Sequence, residues 1–98
     1  MALRSRLGAE ISLRRELGAG RLGAVHEALQ GADGVERVVA LKRLEALRGE
    51  EQTVAWRLLF QDLRLASMLC HPNVVRVLDF GEDEGCPYVV MDRLVGAD

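Results

Sequence analysis

The chain has 98 residues, 49% of them hydrophobic, and its fifteen acids and thirteen bases leave a net charge of −2. That length suits one small domain with a single core and is too short for two. The charges are interspersed, with no basic block or stripe to neutralise a phosphate backbone, which argues against nucleic acid as a partner. No apolar run approaches the ~20 residues that span a bilayer, and "MALRSRLGAE" lacks the hydrophobic centre of a secretion signal, so a cytoplasmic protein with no membrane segment is expected.

In chain order, residues 1–10 are polar and show no periodicity, as a flexible lead-in would. "EISLRRELGAG" then alternates Ile11 and Leu13 with polar neighbours before breaking into glycine, the pattern of a half-buried strand entering a tight turn. "AVHEALQ" contains helix formers, but it is bounded by Gly23 and the turn "GADG", and its length favours a strand. "VERVVALKRL", Val35 to Leu44, is valine-rich and reads as a strand buried on at least one face.

From about Arg48 to Leu69 the period changes to that of a helix. Glu50 and Glu51 occupy its first turn, where the helix dipole favours acids, and Pro72 ends it by restricting His71. Leu58, Leu65, Ala66 and Leu69 recur at three- and four-residue steps and define its apolar face. Asp62 falls in the middle of that face, so its carboxylate needs a basic partner. Two further strands, Val74 to Phe80 and Cys86 to Asp92, form a hairpin through the turn "GEDEG". The fold class is therefore α+β: a five-stranded antiparallel sheet with one long helix between the third and fourth strands.

Two features carry chemistry. The first is lysine usage: of thirteen basic residues, twelve are arginine and one, Lys42, is lysine. An arginine offers a wide planar fork of donors, whereas lysine places a compact point charge on a flexible stem. A narrow site shared by phosphates and a carboxylate fits the second. The other feature is Gly18, Gly20 and Gly23 in "LGAGRLGAV", a G-x-G-x-x-G spacing that lets backbone N–H groups approach phosphate oxygens. The spacing alone also fits an ordinary glycine-rich hairpin. In a dinucleotide-binding unit these glycines open a helix, and an acid follows about twenty residues on. Here the segment is interrupted at Gly31, and the residue nineteen after Gly23 is Lys42.

The other known use of the spacing joins two antiparallel strands, sets a valine two residues after the third glycine, and follows with a V-A-I-K-like strand. Val25 and "VALK", Val39 to Lys42, are in place. From about Ile11 to Asp98 the chain resembles the amino-terminal lobe of a eukaryotic-like (Hanks-type) serine/threonine protein kinase, and "HPNVVRVLDFGEDEGCPYVVMDRLVGAD" is most similar to bacterial members. The resemblance implies an ATP site. Gly18, Gly20 and Gly23 would cover the phosphates and Lys42 would contact the first two of them. Leu17, Val25 and Ala40 would enclose the adenine ring, Met91 would be the gatekeeper, and the backbone of Asp92 and Leu94 would bond the adenine edge. The family's helix places an acid nine residues before the histidine of H-P-N to pair with the strand lysine, and that position is Asp62. Aspartate is shorter than the family's glutamate by one C–C bond, ~1.5 Å. Leu22 stands where the family usually has an aromatic or small residue.

The resemblance covers an incomplete kinase domain. No H-R-D-x-x-x-x-N, no later D-F-G and no A-P-E follows in these residues, and "LDFG" at Asp79 precedes the hinge, where it cannot serve as the metal-binding D-F-G. The expectation is an ATP-binding lobe that transfers the γ-phosphate to protein serine or threonine only when a carboxyl-terminal lobe supplies the catalytic residues and Mg2+ ligands. This chain would hold neither a catalytic residue nor a metal site of its own. The alternatives are a non-catalytic nucleotide-binding or interaction module, pseudokinase-like, or a decayed gene fragment. With the second lobe absent, apolar surface around Ala40, Met91 and Leu94 is expected to be exposed and to favour self-association through the cleft face.

Overall fold

The computed structural model describes residues 2–20, 22–61 and 76–93. They form six strands and one helix: β1 (Ala2–Arg4), β2 (Glu10–Ala19), β3 (Ala24–Ala32), β4 (Val35–Arg43), α1 (Glu50–Gln61), β5 (Val77–Asp83) and β6 (Cys86–Asp92). The strands make one antiparallel sheet in the order β1-β2-β3-β4-β6-β5. The α+β class and the helix between the third and fourth expected strands are as the sequence implies. The count is six because the expected lead-in contributes β1, which pairs Ala2 with Ser12 and Arg4 with Glu10.

Local chemistry sets the hairpins. Two-residue connections follow β3 and β5, at Asp33-Gly34 and Glu84-Gly85, and all four residues have positive φ. That is the geometry of a turn whose twist matches the flanking strands, and an acid followed by glycine adopts it at low cost. Between β4 and α1 the chain reverses at Gly49, φ 52°, and Glu50 and Glu51 then fill the first helical turn.

Each face of the sheet carries its own apolar cluster. One, on the side of α1, comprises Ala40, Leu44, Leu59, Val77, Phe80, Val89 and Met91, with Leu22, Val25 and Trp56 packed against it. The opposite face is filled by Leu3, Ala9, Ile11, Ala28, Val39, Leu41, Tyr88 and Val90. The helix docks through aromatic contacts: Phe60 meets Phe80 edge-on at 5.0 Å, and Trp56 lies 5.9 Å from Phe80. Within the described part of α1 the buried side chains are Ala55 and Leu59, while Leu58 is only half-buried. Leu65, Ala66 and Leu69, the rest of the expected apolar face, lie outside the described residues. No helix of the described residues is long and apolar enough to cross a membrane.

The predicted exposure of the cleft floor does not hold for Ala40 and Met91, which are 7% and 2% exposed. Both belong to the apolar cluster on the helix side, against which Leu22, Val25 and Trp56 pack. The exposed large apolar side chains among the described residues are Leu7, Val35, Val38, Val54 and Phe60.

Residues 5–9 are tied to β5 by a buried carboxylate. Asp79, 1% exposed, accepts a short hydrogen bond from Ser5 Oγ and others from the N–H groups of Leu7 at 3.2 Å and Phe80 at 2.7 Å. Ser5 Oγ in turn accepts from Ala9 N–H, and Arg6 N–H donates to the carbonyl of Phe80. Asp79-Phe80-Gly81 is therefore a structural clasp, and its acid is fully engaged inside the fold.

Candidate functional site

Register assembles the site. In antiparallel pairs, residues directly opposite share a face. Val25 lies opposite Lys42 and Lys42 opposite Val89, while Glu27 lies opposite Ala40 and Ala40 opposite Met91. Two adjacent rows on the α1 side of the sheet thus bring together Val25, Lys42, Ala40 and Met91, four of the residues singled out from sequence. Gly18 pairs with Val25, which puts the glycine turn at the end of the first row.

The turn folds back onto β4. Gly20 N–H donates to the carbonyl of Gly23, Ala46 N–H donates to that of Leu22, and Ala24 N–H donates to the Glu45 carboxylate at 3.2 Å. Gly23 is required by this approach, since a Cβ there would overlap the carbonyl oxygen of Arg43. Gly20 lies directly over the lysine, where a Cβ would come 3.3 Å from Lys42 Nζ. Above Gly18 the space is open. Lys42 is 7% exposed and makes no ion pair with any described residue. Among the described residues this buried ammonium has no carboxylate partner, and such a charge suits an anion.

The remaining predicted residues are placed less directly. Leu17 is the extra residue of a bulge between Glu16 and Gly18; it is half-buried and belongs to neither apolar cluster. Asp92 donates its N–H to the carbonyl of Arg76, and its side chain pairs with Arg76 at 3.3 Å. Asp62 and Leu94 lie outside the described residues, and so does the proposed Lys42–Asp62 pair.

Sequence reasoning missed an ionic cluster beside the Ala40–Met91 row. One oxygen of Glu27 meets Arg15 at 3.4 Å and Arg14 at 3.9 Å, and the other meets Arg93 Nε at 3.4 Å. Arg15 above all, and Arg93 and Arg14 with it, holds the Glu27 carboxyl below the ordinary carboxylate range. A second bulge, between Leu13 and Arg15, brings both β2 arginines to one acid, and nothing in "LRRE" announces it. Two surface cavities among the described residues, of about 600 Å³ at the β3–β4 turn and about 360 Å³ beside Leu7 and Asp79, are not lined by Lys42.

Residues 11–98 match the family described as protein tyrosine and serine/threonine kinase. The chain is 42% identical over 89 residues to the tyrosine-protein kinase MasK of Myxococcus xanthus, an alignment covering 88% of this chain and 13% of that protein. It is 36% identical over 98 residues to the serine/threonine-protein kinase PksC of Streptomyces coelicolor, covering 95% of this chain and 17% of that one. With the serine/threonine-protein kinase PknE of Mycobacterium tuberculosis it shares 39% identity over 87 residues, 88% of this chain and 15% of the relative. The chain therefore spans less than a fifth of the length of these relatives.

Proposed function

Because this chain belongs to the protein kinase family, we propose that it is the ATP-binding amino-terminal lobe of a protein serine/threonine kinase. Two of the relatives above are named for serine/threonine and one for tyrosine, so the hydroxyl class rests on the majority resemblance. The observation that carries the reading is Lys42: a buried cation, unpaired among the described residues, under the glycine turn and in one row with Val25. In this role Lys42 contacts the α- and β-phosphates, N–H groups of the glycine turn face their oxygens, and Ala40, Val25 and Met91 line the adenine slot. The acid proposed to pair with Lys42 is Asp62, on its spacing from His71 alone.

Gly20 lies close to Nζ, and the Ala46–Leu22 and Ala24–Glu45 hydrogen bonds hold the described part of the turn against the chain that follows β4, so phosphates at Lys42 would share their space with the turn. Transfer of the γ-phosphate also needs a residue that positions the substrate hydroxyl, and Mg2+ ligands. Asp79 cannot be one of these ligands, since its oxygens serve Ser5, Leu7 and Phe80. Both requirements fall to a carboxyl-terminal lobe, and the 98 residues alone are proposed to be inactive in transfer.

The test is thermal stabilisation by ATP. A ligand at 100 times its Kd stabilises the folded state by ~2.7 kcal/mol. Saturating ATP should raise the melting midpoint of the wild-type chain and raise that of Lys42→Met much less. Equal shifts, or no shift in the wild type, would overturn the reading.

A further inference from the structure

We infer that the Glu27–Arg93 ion pair sets the width of the adenine slot, which makes Glu27 a positioning residue of the nucleotide site. This rests on the reading of the cleft given above. β3 and β6 are not neighbours, because β4 lies between them. Glu27 on β3 and Arg93, the residue after β6, therefore meet across two inter-strand spacings, ~9.6 Å, on the face that carries Lys42. Glu27 is opposite Ala40, and Arg93 comes one position after the Val39–Asp92 pair, so the ion pair crosses β4 diagonally at the outer edge of the Ala40–Met91 row.

The pair is shielded, with side chains 9% and 15% exposed, unlike the exposed ion pairs whose worth is close to nothing. Glu27 is also the hub of the cluster. One carboxylate oxygen holds the arginines of β2, and the other holds Arg93. Through one side chain the β2–β3 hairpin, which ends in the glycine turn, is fastened to the segment after β6 that the adenine edge would meet. Breaking the bond removes this side-chain tie between the hairpin and that segment while leaving Lys42 in place. The expected signature is a loss confined to the adenine half of the ligand.

The experiment is calorimetric titration of the full chain with ATP and with inorganic tripolyphosphate, for wild type, Glu27→Gln, Arg93→Gln, their combination, and Lys42→Met. Each single substitution in the pair should weaken ATP about fivefold, and the combination should weaken it no further than the worse single, the mark of two groups acting as one. Tripolyphosphate affinity should not change in these three variants, and Lys42→Met should lose both ligands. Unchanged ATP affinity in Glu27→Gln and Arg93→Gln, additive losses, or equal losses of ATP and tripolyphosphate would overturn the positioning role while the Lys42 result stands. A wild type that binds no ATP, or a Lys42→Met that binds like wild type, would overturn the cleft reading and this role with it. Should Glu27→Gln fail to fold, Arg93→Gln on its own makes the same comparison between the two ligands.

Discussion

Tyr88 is the chain's one tyrosine, fully buried in the face opposite the helix, and its hydroxyl has no hydrogen-bond partner among the described residues. Gly81 makes room for it, since a Cβ at that position would overlap the phenol. Gly81→Ala should therefore destabilise by ~1–3 kcal/mol, the usual cost of overpacking. Tyr88→Phe removes a buried orphan group, and should be neutral or stabilising by ~1 kcal/mol. Burial, with Asp79 and Asp83 nearby, pushes the phenol from 10.0 up to about 12. A raised pKa means that the contribution is present below pH 10 and is lost as pH rises from about 10 to 12. Denaturant midpoints measured across that range should fall in the wild type and fall less in Tyr88→Phe; parallel curves would contradict the assignment. At this scale the sequence was readable where one residue type stood alone. Lys42 among twelve arginines was such a place, whereas Glu27 drew no notice because its meaning depends on a bulge.

β1 is only three residues long, and "ALR" has no period to recognise. What holds it is long-range: Asp79, more than seventy positions later, gathers Ser5 and Leu7 and so delivers Leu3 to the core. Asp79→Ala should leave several buried donors without an acceptor and cost ~2–4 kcal/mol, while Asp79→Asn, which keeps an acceptor oxygen, should cost less. Hydrogen exchange would locate the damage, with protection lost first at Ile11 and Ser12, the residues paired with β1. Uniform loss over all strands would mean that the clasp supports the entire sheet. The hairpins were readable because acid-glycine turns and alternation are local signals. The helix was readable as a helix, and in its described part Ala55 and Leu59 are buried beside the aromatic contacts that Trp56 and Phe60 make with Phe80.

For the molecule as a whole, two apolar clusters share one sheet, and each has its own spectroscopic reporter. The only tryptophan, Trp56, packs on the helix side, and the only tyrosine, Tyr88, lies on the other. Side chains of β4 alternate between the two clusters, Ala40 to one and Val39 and Leu41 to the other, so neither face can melt and leave β4 intact. Urea unfolding followed by Trp56 fluorescence and by Tyr88 absorbance should give one coincident transition. Leu59→Ala and Leu41→Ala should each lower it by ~2–5 kcal/mol, a large part of the ~5–15 kcal/mol typical of a domain. Two separated transitions would show that the faces fold independently. The class of fold and the succession of strands and helix after Ile11 were legible from sequence, whereas the crossing that seats β6 between β4 and β5 was not. The burial of Ala40 and Met91 was not either, because it depends on a cluster assembled from residues far apart in the chain.

The solitary lysine has a consequence beyond ligand binding. A protease that cuts only after lysine finds one scissile bond in the whole chain, between Lys42 and Arg43, inside β4. That strand has partners on both sides and cannot enter a protease groove while the sheet is closed. The rate of that single cut measures how often the centre of the sheet opens.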